Sequence, residues 1–208
     1  MIDELCEKLS VDPIEFRLRN AAKEGTRRLE GPVFKPIGQV ECLQALKDHD
    51  HYKTPVGKTT DGKLRGRGVA SGYWGNGAGP ASAIASVNPD GTVSLVGGAP
   101  DIGGTRVVMA MHLAETLGIA AEDVRPSVGD TDSIGFSTGA GGSSVAQKVG
   151  IAIVEAGQDI KRQMVQRAAN IWEVPVEEVE YQDGTIQSKS DPELKMTFKD
   201  LAYRLVAT

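Results

Sequence analysis

Cysteine, histidine and clustered positive charge are all scarce in this 208-residue chain, and each shortage excludes a class of function. Its two cysteines, Cys6 and Cys42, stand far apart, with no Cys or His at metal-ligand spacing. Isolated thiols of this kind hold neither an iron–sulfur cluster nor a structural zinc, and read as core or surface thiols. The three histidines are no richer. His112 falls in a helix-like run without a triad partner, and His49 and His51 alternate in a polar segment. No nucleophile elbow is present, so no catalytic residue is identified. The net charge is −5, from 23 basic and 28 acidic residues, and the one basic cluster, KTTDGKLRGRG (58–68), reads as a solvated loop. Nucleic acid is therefore not expected as a partner, because phosphate neutralisation needs clustered Lys and Arg. No apolar run approaches eighteen residues, and the opening MIDELCEKL is acidic and amphipathic, unlike a signal peptide. A soluble, cytoplasmic protein without a membrane partner is expected.

Glycine, by contrast, is abundant, at 25 residues, and it is concentrated. GDTDSIGFSTGAGGSS (129–144) and APDIGGTRVV (99–108) each lead directly into a helix-like run. A helix N-terminus carries unpaired N–H groups and the positive end of the helix dipole, and glycine lets an anion approach that backbone closely. Both loops therefore meet the requirements of phosphate-binding turns, and the second adds hydroxyls. An ordinary capped turn remains the alternative for each. Two similar stretches fail the test. GNGAGPASA (75–83) is followed by proline and a strand-like run rather than a helix, so it is no dinucleotide fingerprint. GKTT (57–60) lacks the earlier glycine and the strand of a P-loop. Asp130 and Asp132 read as turn-capping carboxylates, and Trp74 and Trp172 as packing aromatics.

The periodicities predict an α+β protein. Helices are expected over 2–10, from Pro13 to a stop at Gly25 behind an Asp12 cap, and over 39–52. Residues 53–66 are rich in turn formers and read as a linker. The remainder, 67–208, reads as ββαβαββα, with strand-like runs at 67–74 and 81–87, an Asn-Pro-Asp-Gly turn at 88–91 and a strand after it. A helix follows over 105–118, with Thr105 as cap and Gly118 as stop, and then a short strand at 123–129. A long helix over 143–172 is expected to open with a Ser144/Gln147 capping box. A hairpin turning at Asp183-Gly184 and a helix over 197–207 complete the order. The helices are expected to pack on a small mixed or antiparallel sheet.

At these same residues the chain resembles a known family. The run from Asn88 to Ser144, with its GGAPDIGGTR, AMHLAETLGIAAEDVRPSVGDTDS and STGAGGSS segments, is similar to the molybdopterin-binding large subunit of the molybdenum hydroxylases. That family includes xanthine dehydrogenases, aldehyde oxidases and aerobic carbon monoxide dehydrogenases. The opening MIDELCEKLSVDPIEFRLRN resembles a helical segment of the same subunit. The resemblance implies a molybdenum–pterin cofactor, often in a cytosine dinucleotide form, and hydroxylation of a substrate carbon with oxygen from water. It implies partners as well: the remaining large-subunit segments, an iron–sulfur subunit and an FAD subunit. No iron–sulfur or FAD module is expected in this chain.

By position, Gly103, Gly104 and Thr105 correspond to the family's Gly-Gln-Gly…Thr loop. Thr138, Gly139, Gly141, Gly142, Ser143 and Ser144 correspond to its Gly-Gly-Ser-Arg loop. Three departures stand out. The glutamine is missing, with Arg106 as a partial replacement, and Ser144 stands where arginine is usual. The family's catalytic glutamate lies in a later Gly-Glu-Pro-type motif that this sequence does not contain. The expected protein is thus a middle slice of a large subunit, inactive alone, holding pyrophosphate and pterin through two loops. Such a slice exposes an apolar face where its missing half packs, which favours a homodimer. Rival readings are a structural or assembly module that has lost the cofactor, and an unrelated nucleotide-binding module.

Overall fold

The structure is a computed structural model, and it describes residues 1–77 and 79–205. The last two positions of the helix expected over 197–207 lie outside the described residues. The chain forms two compact units, Met1–Tyr73 and the remainder from Trp74 on.

In the first unit, helices α1 (Ile2–Leu9) and α2 (Pro13–Arg19) enclose Cys6 and Ile14. The Asp12 carboxylate caps α2 as expected, accepting from the N–H groups of Ile14 (2.8 Å) and Glu15 (2.9 Å). The helix stops at Arg19 rather than at Gly25, because the Asn20 side chain donates back to the Phe16 carbonyl at 2.7 Å and ends the ladder. The expected third helix is two, α3 (Gln39–Asp48) and α4 (Asp50–Lys53). His49 separates them in an extended conformation, with its Nδ1 accepting from the His51 N–H at 3.0 Å. Residues 53–66 contain a short antiparallel ribbon, β1 (Gly57–Lys58) with β2 (Leu64–Arg65). The strand expected over 67–74 does not form. Side chains from α1 and α2 take the backbone groups a ladder would need: Asp3 accepts from the Val69 N–H at 2.9 Å, and the buried Arg17 donates to the Val69 carbonyl.

The second unit contains the larger core. β3 (Ala83–Val87) turns through Asn88–Gly91 into the antiparallel β4 (Val93–Gly97). α5 (Thr105–Leu117) then carries the chain back to β5 (Val124–Val128), which lies parallel to β4. The sheet order is β3-β4-β5. The alternation of β4 places Val93 and Leu95 inward, both fully buried. They meet Met109, Leu113 and Leu117, spaced along one stripe of α5. α6 (Val145–Trp172) packs against α5, burying Val149, Ile153, Ile160 and Met164. The helices approach closely because Gly157 has no side chain: a Cβ there would lie 2.7 Å from Thr116 Cγ2.

A second sheet, β6 (Val179–Gln182), β7 (Thr185–Ser188) and β8 (Lys195–Thr197), is wholly antiparallel and leads into α7 (Phe198–Arg204). The fold is α+β as expected, with the strands of this second unit divided between a mixed and an antiparallel sheet that share one apolar cluster. β8 escaped the sequence reading because three residues leave no visible alternation. Trp172 packs against the core, whereas Trp74 is exposed, contrary to expectation.

The end of α5 and the β6–β7 turn meet backbone to backbone. Gly118 (φ 66°) and Gly184 (φ 73°) are both left-handed, and a Cβ on either would collide with the other's peptide. The Tyr181 hydroxyl donates to the Leu117 carbonyl at 2.6 Å beside them. Gly118→Val is expected to cost at least about 2 kcal/mol, from left-handed strain plus the collision. Urea unfolding monitored by circular dichroism measures it, and an unchanged midpoint would contradict the account.

Candidate functional site

Parallel pairing of β4 and β5 decides where the two glycine-rich loops go. Both leave the sheet at its carboxyl end, the edge at which α/β sheets commonly hold ligands. Their roots are tied together beyond the strands. Gly129 N–H donates to the Gly97 carbonyl at 3.0 Å, and Gly98 N–H donates to the Ser82 carbonyl at 3.1 Å. The Ser137 hydroxyl accepts from the Ser82 N–H at 3.0 Å. A hollow of about 410 Å³ opens here between Gly98, Gly129, Ile134 and Phe136.

In the first loop Gly103 (φ 64°) and Gly104 (φ 78°) are consecutive left-handed residues, and a Cβ on either would meet nothing within 4 Å. The N-cap of α5 is Gly104, and Thr105 is the first helical residue rather than the cap. Its hydroxyl instead donates to the Pro100 carbonyl at 3.2 Å. The capping role falls to Asp101, whose carboxylate accepts from Arg106 N–H (3.0 Å) and Nε (2.7 Å). Arg106 is therefore engaged with Asp101 in a salt bridge through its Nε. Among the described residues, the N–H groups of Gly103, Gly104 and Thr105 find no hydrogen-bond partner.

The second loop is held from beneath. Thr138 donates from its N–H to the Pro80 carbonyl at 3.0 Å and from its hydroxyl to the same oxygen at 3.2 Å. Ser144 is the N-cap of α6, but its hydroxyl donates to the Gly141 carbonyl at 2.7 Å instead of capping, so the Ser144/Gln147 box does not form. The reason is conformational: Ser144 is itself helical (φ −98°, ψ −11°), so its side chain does not reach forward to the N–H two or three residues on. Gly139 and Gly141 are exposed, with nothing within 4 Å of an added Cβ. Gly142 (φ 61°) and Ser143 (φ 52°) form a second left-handed pair. From 139 to 143, and again over 145–147 in the first turn of α6, no N–H has a hydrogen-bond partner among the described residues. Together with 103–105 these amides form a donor array at one end of the sheet.

Two components escaped the sequence reading. The segment GNGAGPASA, set aside as no dinucleotide motif, supports the second loop instead. Gly77 N–H donates to the Gly142 carbonyl at 3.0 Å, and a Cβ on Gly79 would lie 2.8 Å from Thr138 Oγ1. Its glycines at 77 and 79 were the available signal, because a residue without a side chain lets another backbone approach closely. The other is Lys148, which is buried and donates to Thr138 O (2.6 Å), Thr138 Oγ1 (2.8 Å) and Gly139 O (2.8 Å). The Asp130 carboxylate caps its turn, accepting from Asp132 N–H (2.9 Å) and Ser133 N–H (2.8 Å). No cluster of potential metal ligands occurs among the described residues.

A family profile described as a molybdopterin cofactor-binding domain matches residues 42–207. The chain belongs to this family. It is 32% identical to a putative xanthine dehydrogenase molybdenum-binding subunit of Escherichia coli, over 97% of this chain and 28% of that protein. It is 37% identical to an aldehyde oxidoreductase molybdenum-binding subunit of Escherichia coli, over 68% of this chain and 20% of that protein. The fold matches carbon monoxide dehydrogenase from Oligotropha carboxidovorans with a TM-score of 0.65 and 21% identity, covering 98% of this chain and 28% of that one. Quinoline 2-oxidoreductase from Pseudomonas putida 86 matches with a TM-score of 0.64 and 19% identity, covering the same shares. The chain thus spans less than a third of the length of these relatives. It resembles part of a molybdenum hydroxylase large subunit, and no helix among the described residues is long and apolar enough to cross a membrane.

The Asp101 carboxyl is held below the ordinary 3.8, chiefly by the Arg106 N–H and then by the Arg106 side chain. A lowered folded-state value means that the cap contributes fully above the ordinary value and is lost as pH falls through the lower one. The protection of the Arg106 amide against exchange, relative to its intrinsic rate at each pH, should therefore fall on acidification below pH 3.8. Asp101→Asn should remove that pH step, and a step surviving in the variant would refute the assignment.

Proposed function

We propose that this chain holds the anionic portion of a molybdenum–pterin cofactor within a hydroxylase-type oxidoreductase. The observation that carries the reading is the array of N–H groups at 103–105, 139–143 and 145–147 that have no hydrogen-bond partner among the described residues, set where glycines leave the backbone open. Such a cradle suits oxygen-rich anions, because amides at a helix N-terminus donate to them without any change of shape. The array offers more donors than one phosphate uses, which supports a pyrophosphate and hence the dinucleotide form of the cofactor.

Each predicted site residue has a distinct part. Gly103, Gly104 and Thr105 present the amides of the first loop, and Gly139, Gly141, Gly142 and Ser143 those of the second. The hydroxyls of Thr105, Thr138 and Ser144 pin the loops to the protein. The molybdenum–pterin group, when bound, supplies the redox chemistry. This chain binds and orients it, and we assign no catalytic residue here. Turnover would belong to an assembly with the remaining large-subunit segments, an iron–sulfur subunit and an FAD subunit, and the chain alone would be inactive.

A second reading, an assembly module that keeps the fold without the cofactor, is favoured by the engagement of Arg106 with Asp101 and by the serine at 144. Gly139→Val separates the two. Gly139 has no left-handed strain and an open Cβ direction, so valine leaves the fold intact while filling the cradle. In the complete assembly, molybdenum per polypeptide should fall at least about tenfold, as losses around bound metal groups commonly do. The melting temperature should stay within about 2 °C. Unchanged molybdenum would refute the cradle, and a wild-type assembly without molybdenum would favour the module.

A further inference from the structure

Lys148 is an ammonium 4% exposed, in the first turn of α6, that forms no ion pair with any carboxylate among the described residues. Its three protons go to three neutral oxygens of Thr138 and Gly139. Those bonds satisfy its hydrogen-bonding capacity but leave its charge uncompensated. The location makes this worse, because the amino end of a helix is already positive. Burial of a lone cation is costly unless an opposite charge is near. Glu155 and Asp159 line the same face of α6 further along, in a 760 Å³ groove that Lys148 also touches. Asp159 is itself paired with Arg162. The electrostatics of the second loop are thus incomplete within the chain.

We infer that Lys148 is the positioning residue of the second loop, and that its missing counter-ion is the anion the loop receives. The inference rests on the proposed cofactor site and assigns the charge that site otherwise lacks. With every proton engaged, Lys148 does not donate to the anion. It fixes the carbonyls of Thr138 and Gly139 inward, which turns the following N–H groups toward the open side. Its charge acts through one peptide layer, where screening by water is weak. Ser144 precedes it by one helical turn, so the two positions share a face of α6.

The test compares wild type, Lys148→Gln and Lys148→Arg in the complete assembly. Glutamine retains two donors and removes the charge; arginine retains charge and donors. Inorganic pyrophosphate is the probe for the cofactor-depleted protein, read as a rise in melting temperature. Pterin and molybdenum content per polypeptide is read on the loaded protein. K148Q should lose about tenfold in both pyrophosphate affinity and retained pterin, and K148R much less. Ser144→Arg added to K148Q should restore retention, a rescue that a merely structural latch would not show. Wild-type retention in K148Q, or a double variant that folds but stays empty, would overturn the inference. If K148Q does not fold, the double variant and K148R decide, because retention in K148R equal to wild type supports the role of charge and its loss refutes it. Wild-type protein without pterin would refute the proposed function instead, leaving the two failures distinguishable.

Discussion

The parallel register of β4 and β5 is the constraint on which the rest of the second unit depends. Pairing from Val93 with Val124 to Gly97 with Val128 makes both strands end at one edge of the sheet. A parallel pair requires a crossover, and α5 supplies it. The same crossover explains the α5–α6 packing: with α5 held over the sheet, α6 buries its own stripe against it. Glycine at 157 then allows the helices to approach more closely than any larger residue would.

From that edge outward, hydrogen bonding is divided between two tasks. Hydroxyls and the Lys148 ammonium face inward and hold the loops by their carbonyls. The N–H groups at 103–105, 139–143 and 145–147 are left over, without a hydrogen bond among the described residues. This division follows from the backbone, because a residue whose carbonyl is drawn in one direction presents its neighbour's N–H in the other. Gly77 and Gly79 complete the arrangement by lying against Gly142 and Thr138 of the second loop without a side chain of their own to separate them.

The two sheets of this unit have different roles. The mixed sheet presents the loops, whereas the antiparallel one braces the long helix and closes the core with Ile186, Met196 and Leu201. The antiparallel sheet meets the end of α5 at the pair of left-handed glycines 118 and 184, where the chain cannot carry a side chain on either partner.

Much of this was determined by the sequence alone. Asp12 before Pro13 specifies the start of α2, Asn88 to Gly91 and Asp183-Gly184 specify their turns, and the four-residue repeat of α6 specifies its buried stripe. These are local features, set by dihedral preference and periodicity within a few residues. The glycine-rich loops and their family likeness were legible for the same reason. What the tertiary structure alone decided lies in contacts distant along the chain. It withheld a strand from 67–73 by spending Val69 on Asp3 and Arg17, and it moved the cap of α5 to Asp101. It also placed Lys148 beneath Thr138 and Gly139. A lysine on an amphipathic helix reads as solvent-facing, and only the packed arrangement of loop, helix and supporting glycines shows that this one is buried, because burial is a property of neighbours rather than of spacing.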